Sequence, residues 1–87
     1  MPKVHRLTDI DNEGNVNITS SSDTFADNLG IVRIGDIDSD WPPDTKITGS
    51  PNVYVNNRKV HRVDDIDSDS PPDISADNDS KVYINGY

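Results

Sequence analysis

Apolar residues in this 87-residue chain stand singly or in short runs of β-branched and aromatic side chains, broken every few positions by Gly, Pro, Asn, Asp or Ser. That pattern predicts strands of roughly 3–6 residues joined by tight turns. No window carries the 3.6-residue period of an amphipathic helix. The clearest unit is residues 47–65. Val53, Tyr54 and Val55 read as a strand, and Asn56 and Asn57 as a turn that tolerates positive φ. Val60, His61, Arg62 and Val63 restart the extended pattern. Gly49-Ser50-Pro51 punctuates the entry, where a missing backbone donor is tolerated.

Versions of this unit stand on both sides of it. Val4-His5-Arg6-Leu7-Thr8-Asp9-Ile10-Asp11, Ile31-Val32-Arg33-Ile34-Gly35-Asp36-Ile37-Asp38 and Val60-His61-Arg62-Val63-Asp64-Asp65-Ile66-Asp67 open three copies. They divide one domain, 1–87, into repeats of about 28 residues at approximately 4–30, 31–59 and 60–87. The arginines recur at intervals of 27 and 29, and the aromatics Phe25, Tyr54 and Tyr83 at 29 and 29. With Ile74-Ser75-Ala76 set against Ile47-Thr48-Gly49, the third copy reads two residues longer before its aromatic. Copies two and three share Asp-Ile-Asp-Ser-Asp-X-Pro-Pro-Asp at 36–44 and 65–73; copy one has Asp9-Ile10-Asp11-Asn12-Glu13-Gly14 there. One copy is too small to bury its own apolar face, so the three must pack together. The expectation is an all-β domain with pseudo-three-fold symmetry and little or no helix, its aromatic and Ile/Val positions facing a shared axis.

Composition narrows the partners. Eight Lys and Arg against sixteen Asp and Glu give a net charge of −8, which argues against nucleic acid and anionic membrane surfaces. Low hydrophobicity with high charge is also a mark of disorder. Eight Val and nine Ile against two Leu decide for a pleated sheet instead. With no cysteine, disulfides and thiolate metal sites are excluded. No apolar run reaches membrane-spanning length, and Met1-Pro2-Lys3-Val4-His5 lacks a signal-peptide core, so a soluble chain without a Sec-type address is expected.

The alternating aspartates are the strongest candidates for chemistry, since carboxylate oxygens suit Ca²⁺ or Mg²⁺. The EF-hand template fails, because Trp41 stands where its Gly belongs and Ile47 where its bidentate Glu belongs. A hard cation between Asp38/Asp40 and Asp67/Asp69 would relieve like-charge repulsion; against it, acidic turn residues commonly form Asx-turns in water. His5 and His61 take equivalent positions with Val32 as the third, which suits packing or hydrogen bonding better than metal ligation. Arg6, Arg33 and Arg62 each precede an aspartate by three residues, which predicts local Arg–Asp pairing rather than contacts between copies or with a partner. Trp41 is expected to pack on Pro42-Pro43. No Ser/His/Asp or paired-acid constellation recommends catalysis. The sum is a non-enzymatic chain with no catalytic residue, metal or cofactor assigned.

Residues 47–65 resemble the repeat of PAAR-domain proteins, roughly I-x-G-S-P-x-V-x-V-N-G-K-P-A-A-R-V-G-D. Residues 31–36 and 4–9 match its second half, and 82–86 its first. The resemblance implies a small β-rich cone with pseudo-three-fold symmetry, sitting on the blunt end of a trimeric β-helical spike, one tip per trimer. It implies the tip of a contractile injection machine, either on a phage tail or baseplate or secreted by a type VI system assembled in the cytoplasm. Such a tip touches the target membrane transiently, acts mechanically, binds no nucleic acid and forms no homo-oligomer. Phe25, Tyr54, Tyr83, Val55 and Ile84 would then meet the spike. Two departures stand out. The eponymous Pro-Ala-Ala-Arg reads Lys59-Val60-His61-Arg62 here. The stretches where family members often hold zinc with His and Cys read Ile37-Asp38-Ser39-Asp40 and Ile66-Asp67-Ser68-Asp69. The alternative is a small calcium-dependent β module for adhesion or particle structure.

Overall fold

In the computed structural model, which describes residues 2–84, the turns set the architecture. Asp27 and Asn28 take φ of 52° and 68°, and Asn56 and Asn57 take 54° and 65°. Two consecutive left-handed residues form the tight turn whose twist matches an antiparallel strand pair, and Asn and Asp reach that conformation more readily than other side chains. These turns close β1 (Phe25–Ala26) onto β2 (Leu29–Gly30) and β3 (Tyr54–Val55) onto β4 (Arg58–Lys59). Phe25 lies opposite Gly30, and Tyr54 opposite Lys59. The protein is thus a small all-β domain with two antiparallel sheets and, among the described residues, no helix. It is compact, 27 × 24 × 24 Å with a radius of gyration of 11.2 Å.

The strands are shorter than the sequence suggested. Each runs two residues, and isolated antiparallel bridges carry most of the remaining pairing. The cause is the Arg–Asp corner that follows: the Asp9, Asp36 and Asp65 amides donate back to the Arg6, Arg33 and Arg62 carbonyls, each at 3.0 Å. The corners at Arg33 and Arg62 bend the chain within a few residues of leaving the hairpin.

Chain start and chain end meet. Tyr83 bridges to Lys3, the Val4 amide donates to the Val82 carbonyl at 2.9 Å, and the Ile84 amide to the Pro2 carbonyl at 3.0 Å. Lys3 therefore stands opposite Tyr83 as Gly30 does opposite Phe25. Asn85 and Gly86, part of the PAAR-like match, lie outside the described residues.

Equivalent residues exchange equivalent bonds. The His5 amide donates to His61 O (3.0 Å), His61 N to Val32 O (2.9 Å), and Val32 N to His5 O (3.0 Å), closing a circuit. Around it, Leu7 N donates to Gly30 O, Ile34 N to Lys59 O and Val63 N to Lys3 O, at 2.8, 2.9 and 3.0 Å. Beside this circuit Val4, Ala26, Ile31 and Val60 form the apolar core, flanked by Val53, Val55 and Ile84.

Three expectations need correction. Phe25, Tyr54 and Tyr83 do not face the core; they are 58%, 54% and 50% exposed. Neighbouring strand residues point to opposite faces, so once Ala26, Val55 and Ile84 turn inward the aromatics must turn out. Trp41 does not pack down on its prolines: it is 87% exposed. The third copy is not longer. Ile18 N donates to Ile37 O, Ile47 N to Ile66 O, and Ala76 N to Ile10 O, so Ala76 is the counterpart of Ile47. The length difference lies in copy one, where Asp11 N reaches Asn15 O across a loop turned by Gly14 at φ 86°. The longer loops close Asp38 N on Asp44 O and Asp67 N on Asp73 O.

Candidate functional site

The candidate site is built from the corners inward. Arg33 N and Nε donate to Asp36 Oδ2 at 2.8 and 3.0 Å, and Nη2 donates to Oδ1 at 3.1 Å. Arg6 with Asp9 and Arg62 with Asp65 repeat this three-bond clasp, so the expected local pairing forms in all three copies. It is not the whole of the arginines' bonding: Arg6 also reaches Asp27 and Asp79, and Arg33 reaches Asn56 Oδ1 at 2.9 Å. Inside each corner Thr8, Gly35 and Asp64 take φ of 73°, 88° and 77°. That left-handed residue redirects the chain, and the two-residue alternation then runs against hydropathy. Ile10 is exposed and Ile37 and Ile66 half-buried, while Asp11, Asp38 and Asp67 are buried.

Next to the core lie His5 and His61, both fully buried, with ring centroids 5.7 Å apart and edge to face. His5 Nε2 donates to the Ala76 carbonyl at 3.2 Å, and Nδ1 accepts from Asn17 Nδ2 at 2.7 Å. His61 Nδ1 donates to the Thr48 carbonyl at 2.8 Å, and Nε2 accepts from the Ser75 hydroxyl. Burial favours the neutral form of both rings, which then take opposite tautomers, and all four nitrogens are engaged. The zinc implied by the family resemblance does not fit: neither imidazole has a free nitrogen and the chain has no thiolate. Burial lowers the His5 ring to about 4 and the His61 ring to about 3. A histidine depressed in this way supports the fold above its unfolded value near 6.5 and loses that support as pH falls toward the folded value. The ¹H–¹⁵N spectrum is accordingly expected to show both rings neutral from pH 8 to 5, with Nε2–H on His5 and Nδ1–H on His61. Titration of either near 6.5 would contradict the burial.

One step further along stand Asn17, Lys46 and Ser75, equivalent in the three copies and all buried. Lys46 Nζ lies 3.9 Å from Asp38 Oδ2, and both side chains are out of solvent. Beyond it the aspartates gather. Asp38 Oδ1 accepts from the Asp40 and Asp44 amides, both at 3.1 Å, and Asp67 Oδ1 from the Asp69 and Asp73 amides, both at 3.0 Å. Asp11 Oδ1 accepts from Glu13 N and Asn15 N at 2.8 and 3.0 Å. These are the Asx-turns expected of the sequence, but they are buried rather than in water. Burial, then the charges of Asp38, Asp67 and Asp69, push Asp44 up to about 7. Burial, then Asp67, Asp11 and Glu13, push Asp73 up to about 7. Burial also raises Asp38 against the two amides that hold it down.

Of the residues singled out from sequence, Asp38, Asp40, Asp67 and Asp69 do converge, but not as one quartet. Oxygens of Asp38, Asp44 and Asp67 lie within 4.8 Å of one another, as do those of Asp11, Asp67 and Asp73, and those of Asp40, Asp44, Asp69 and Asp73. Sequence reasoning missed Asp11, Asp44 and Asp73. The signal for the last two was present: each closes the shared nonapeptide, and its Pro-Pro pair forces the reversal that returns that aspartate to its partner. The aromatics lie on the other side of the apolar core's chain segments: Phe25 and Tyr54 on the hairpins, Tyr83 beside Lys3. Val55 and Ile84 are half-buried beneath them against the core.

No protein-family model matches this chain, and no curated protein sequence matches it.

Proposed function

We propose that this protein is the tip of the central spike of a contractile injection machine, a pseudo-three-fold cone that caps and sharpens a trimeric β-helical shaft. The observation that carries the reading is the closed circuit through His5, Val32 and His61, with Phe25, Tyr54 and Tyr83 exposed at equivalent positions near the apolar core. The end of a trimeric β-helix presents three equivalent sets of unpaired N–H and C=O groups. A single chain with three similar sides can meet all three, which a chain without internal repetition cannot. Docking would combine strand addition with burial of the three aromatics, over Val55 and Ile84. The repeats 4–30, 31–59 and 60–87 would each serve one side of the shaft. The work is mechanical: sheath contraction supplies the force, and the tip supplies a small, stiff point. The hydrogen-bonded, turn-dense interior supports that stiffness, and no catalytic role is needed.

The test is co-expression with the trimeric β-helical spike of the same source particle, read by native mass spectrometry. A complex of one tip per three spike chains is expected. Replacing Phe25, Tyr54 and Tyr83 together by Asp should abolish it while leaving the circular dichroism spectrum unchanged, because these side chains carry no core packing. A wild-type protein that never joins the spike, or a triple variant that joins it as well as wild type, would overturn the reading.

A further inference from the structure

In the acidic cluster, Asp38 Oδ2, Asp44 Oδ2, Asp67 Oδ2 and Asp73 Oδ2 are buried without a hydrogen-bond donor, on residues that are all more than nine-tenths buried. Copy one shows what is missing. There the pair equivalent to Asp38/Asp44 and Asp67/Asp73 is Asp11/Asn15, and Asn15 Nδ2 donates to Asp11 Oδ2 at 3.4 Å. The two other copies replace that amide by a carboxylate, which removes the donor and adds a charge. A buried carboxylate oxygen without a partner is unfavourable, and two facing each other are more so. Lys46, 3.9 Å from Asp38 Oδ2, makes the cluster's ion pair among the described residues, against seven aspartates. It is too far for a hydrogen bond to that oxygen.

We propose that Asp38, Asp44 and Asp67 hold a hard divalent cation of the calcium class, with Asp73 and Asp11 completing the oxygen cage beside it. Every donor is a carboxylate oxygen, the chemistry that Ca²⁺ and Mg²⁺ take and that zinc and copper sites rarely use alone. The oxygens of Asp38, Asp44 and Asp67 lie within 4.8 Å of one another, as do those of Asp11, Asp67 and Asp73, the width of a shell with metal–oxygen distances of about 2.3–2.6 Å. The Asx-turns already fix Asp38 and Asp67 through their other oxygen, so the ligands are positioned before the ion arrives. Asp40 and Asp69, only partly buried, stand at the entrance with Asp44 and Asp73. The ion would lock the two Pro-Pro loops to each other and to the loop of copy one. This site is independent of spike docking, which uses other residues.

The experiment uses the whole chain alone, stripped with EDTA and exchanged into chelator-free buffer at pH 8 and constant ionic strength. CaCl₂ and MgCl₂ are titrated by calorimetry and by thermal melting. A saturable calcium isotherm is expected, with Tm rising about 10 °C or more once free Ca²⁺ exceeds its dissociation constant a hundredfold. Two variants keep the test sharp. Asp44→Asn restores the amide of copy one; it should melt higher than wild type without metal and bind calcium at least tenfold more weakly. Lys46→Gln removes the competing internal cation and should tighten calcium binding several-fold, whereas a purely structural lysine would leave affinity unchanged. No saturable heat and no Tm change beyond that of matched NaCl would overturn the proposal. So would unaltered calcium binding in Asp44→Asn.

Discussion

Asp36→Ala is expected to destabilise the fold by about 3–5 kcal/mol, measured by urea denaturation at pH 7, because it strands a buried guanidinium. Arg33 and Asp36 are both buried, and the clasp between them uses both carboxylate oxygens. Thr19 adds a further donor to Asp36 Oδ1 at 2.9 Å. Burial alone would raise this carboxyl, but Arg33, its backbone amide and Thr19 together hold it below the usual carboxylate range. The sign follows: a carboxylate depressed in the folded state contributes fully above its unfolded value and is lost as pH falls through the folded one. The wild-type and variant stabilities should therefore converge in strong acid. Asp9→Ala is expected to cost clearly less, since Arg6 keeps Asp27 and Asp79 as partners. Equal losses for the two variants would mean that the clasps are not the source of the effect. An 87-residue domain has a total stability of about 4–13 kcal/mol, so Asp36→Ala stands near the edge of folding.

Removing residues 1–4 is expected to abolish the cooperative thermal transition. Val4 is completely buried in the core, a contribution of about 2 kcal/mol. Three backbone bonds go with it or lose their acceptors: Val4 N to Val82 O, Ile84 N to Pro2 O, and Val63 N to Lys3 O. At about 1 kcal/mol each, the total loss is about 5 kcal/mol. Lys3→Ala is the control. Its ion-pair partner Asp77 is exposed, so that substitution should leave a cooperative melt close to that of the wild type. Retention of a sharp melt by the truncated chain would show that the first segment is an appendage instead of a wall of the domain.

The all-β character, the Asn56-Asn57 turn and the Arg–Asp corners were legible because each depends on neighbours within a few residues. What was not legible depends on direction. A two-residue alternation says that Ile37 and Asp38 face opposite ways, but not which faces in; hydropathy chose the isoleucine, and the corner at Gly35 chose the aspartate. The same ambiguity misplaced the aromatics, whose partners Ala26, Val55 and Ile84 take the core. The third repeat was misaligned because Ile74 matched Ile47 in type, whereas backbone pairing matches Ala76 to it. At the acidic cluster, Asp38 and Asp67 were visible as an alternating motif. Asp44 and Asp73 were hidden by five intervening positions, and only the loop's reversal brings them back.

The bridge between Lys3 and Tyr83 has a topological consequence. Because Pro2 and Ile84 sit hydrogen-bonded side by side, the described backbone, residues 2–84, traces a nearly complete loop with a seam between those two residues. A polypeptide spliced across that seam and cut instead between Asp27 and Asn28 would follow the same circuit with every interior bond in place.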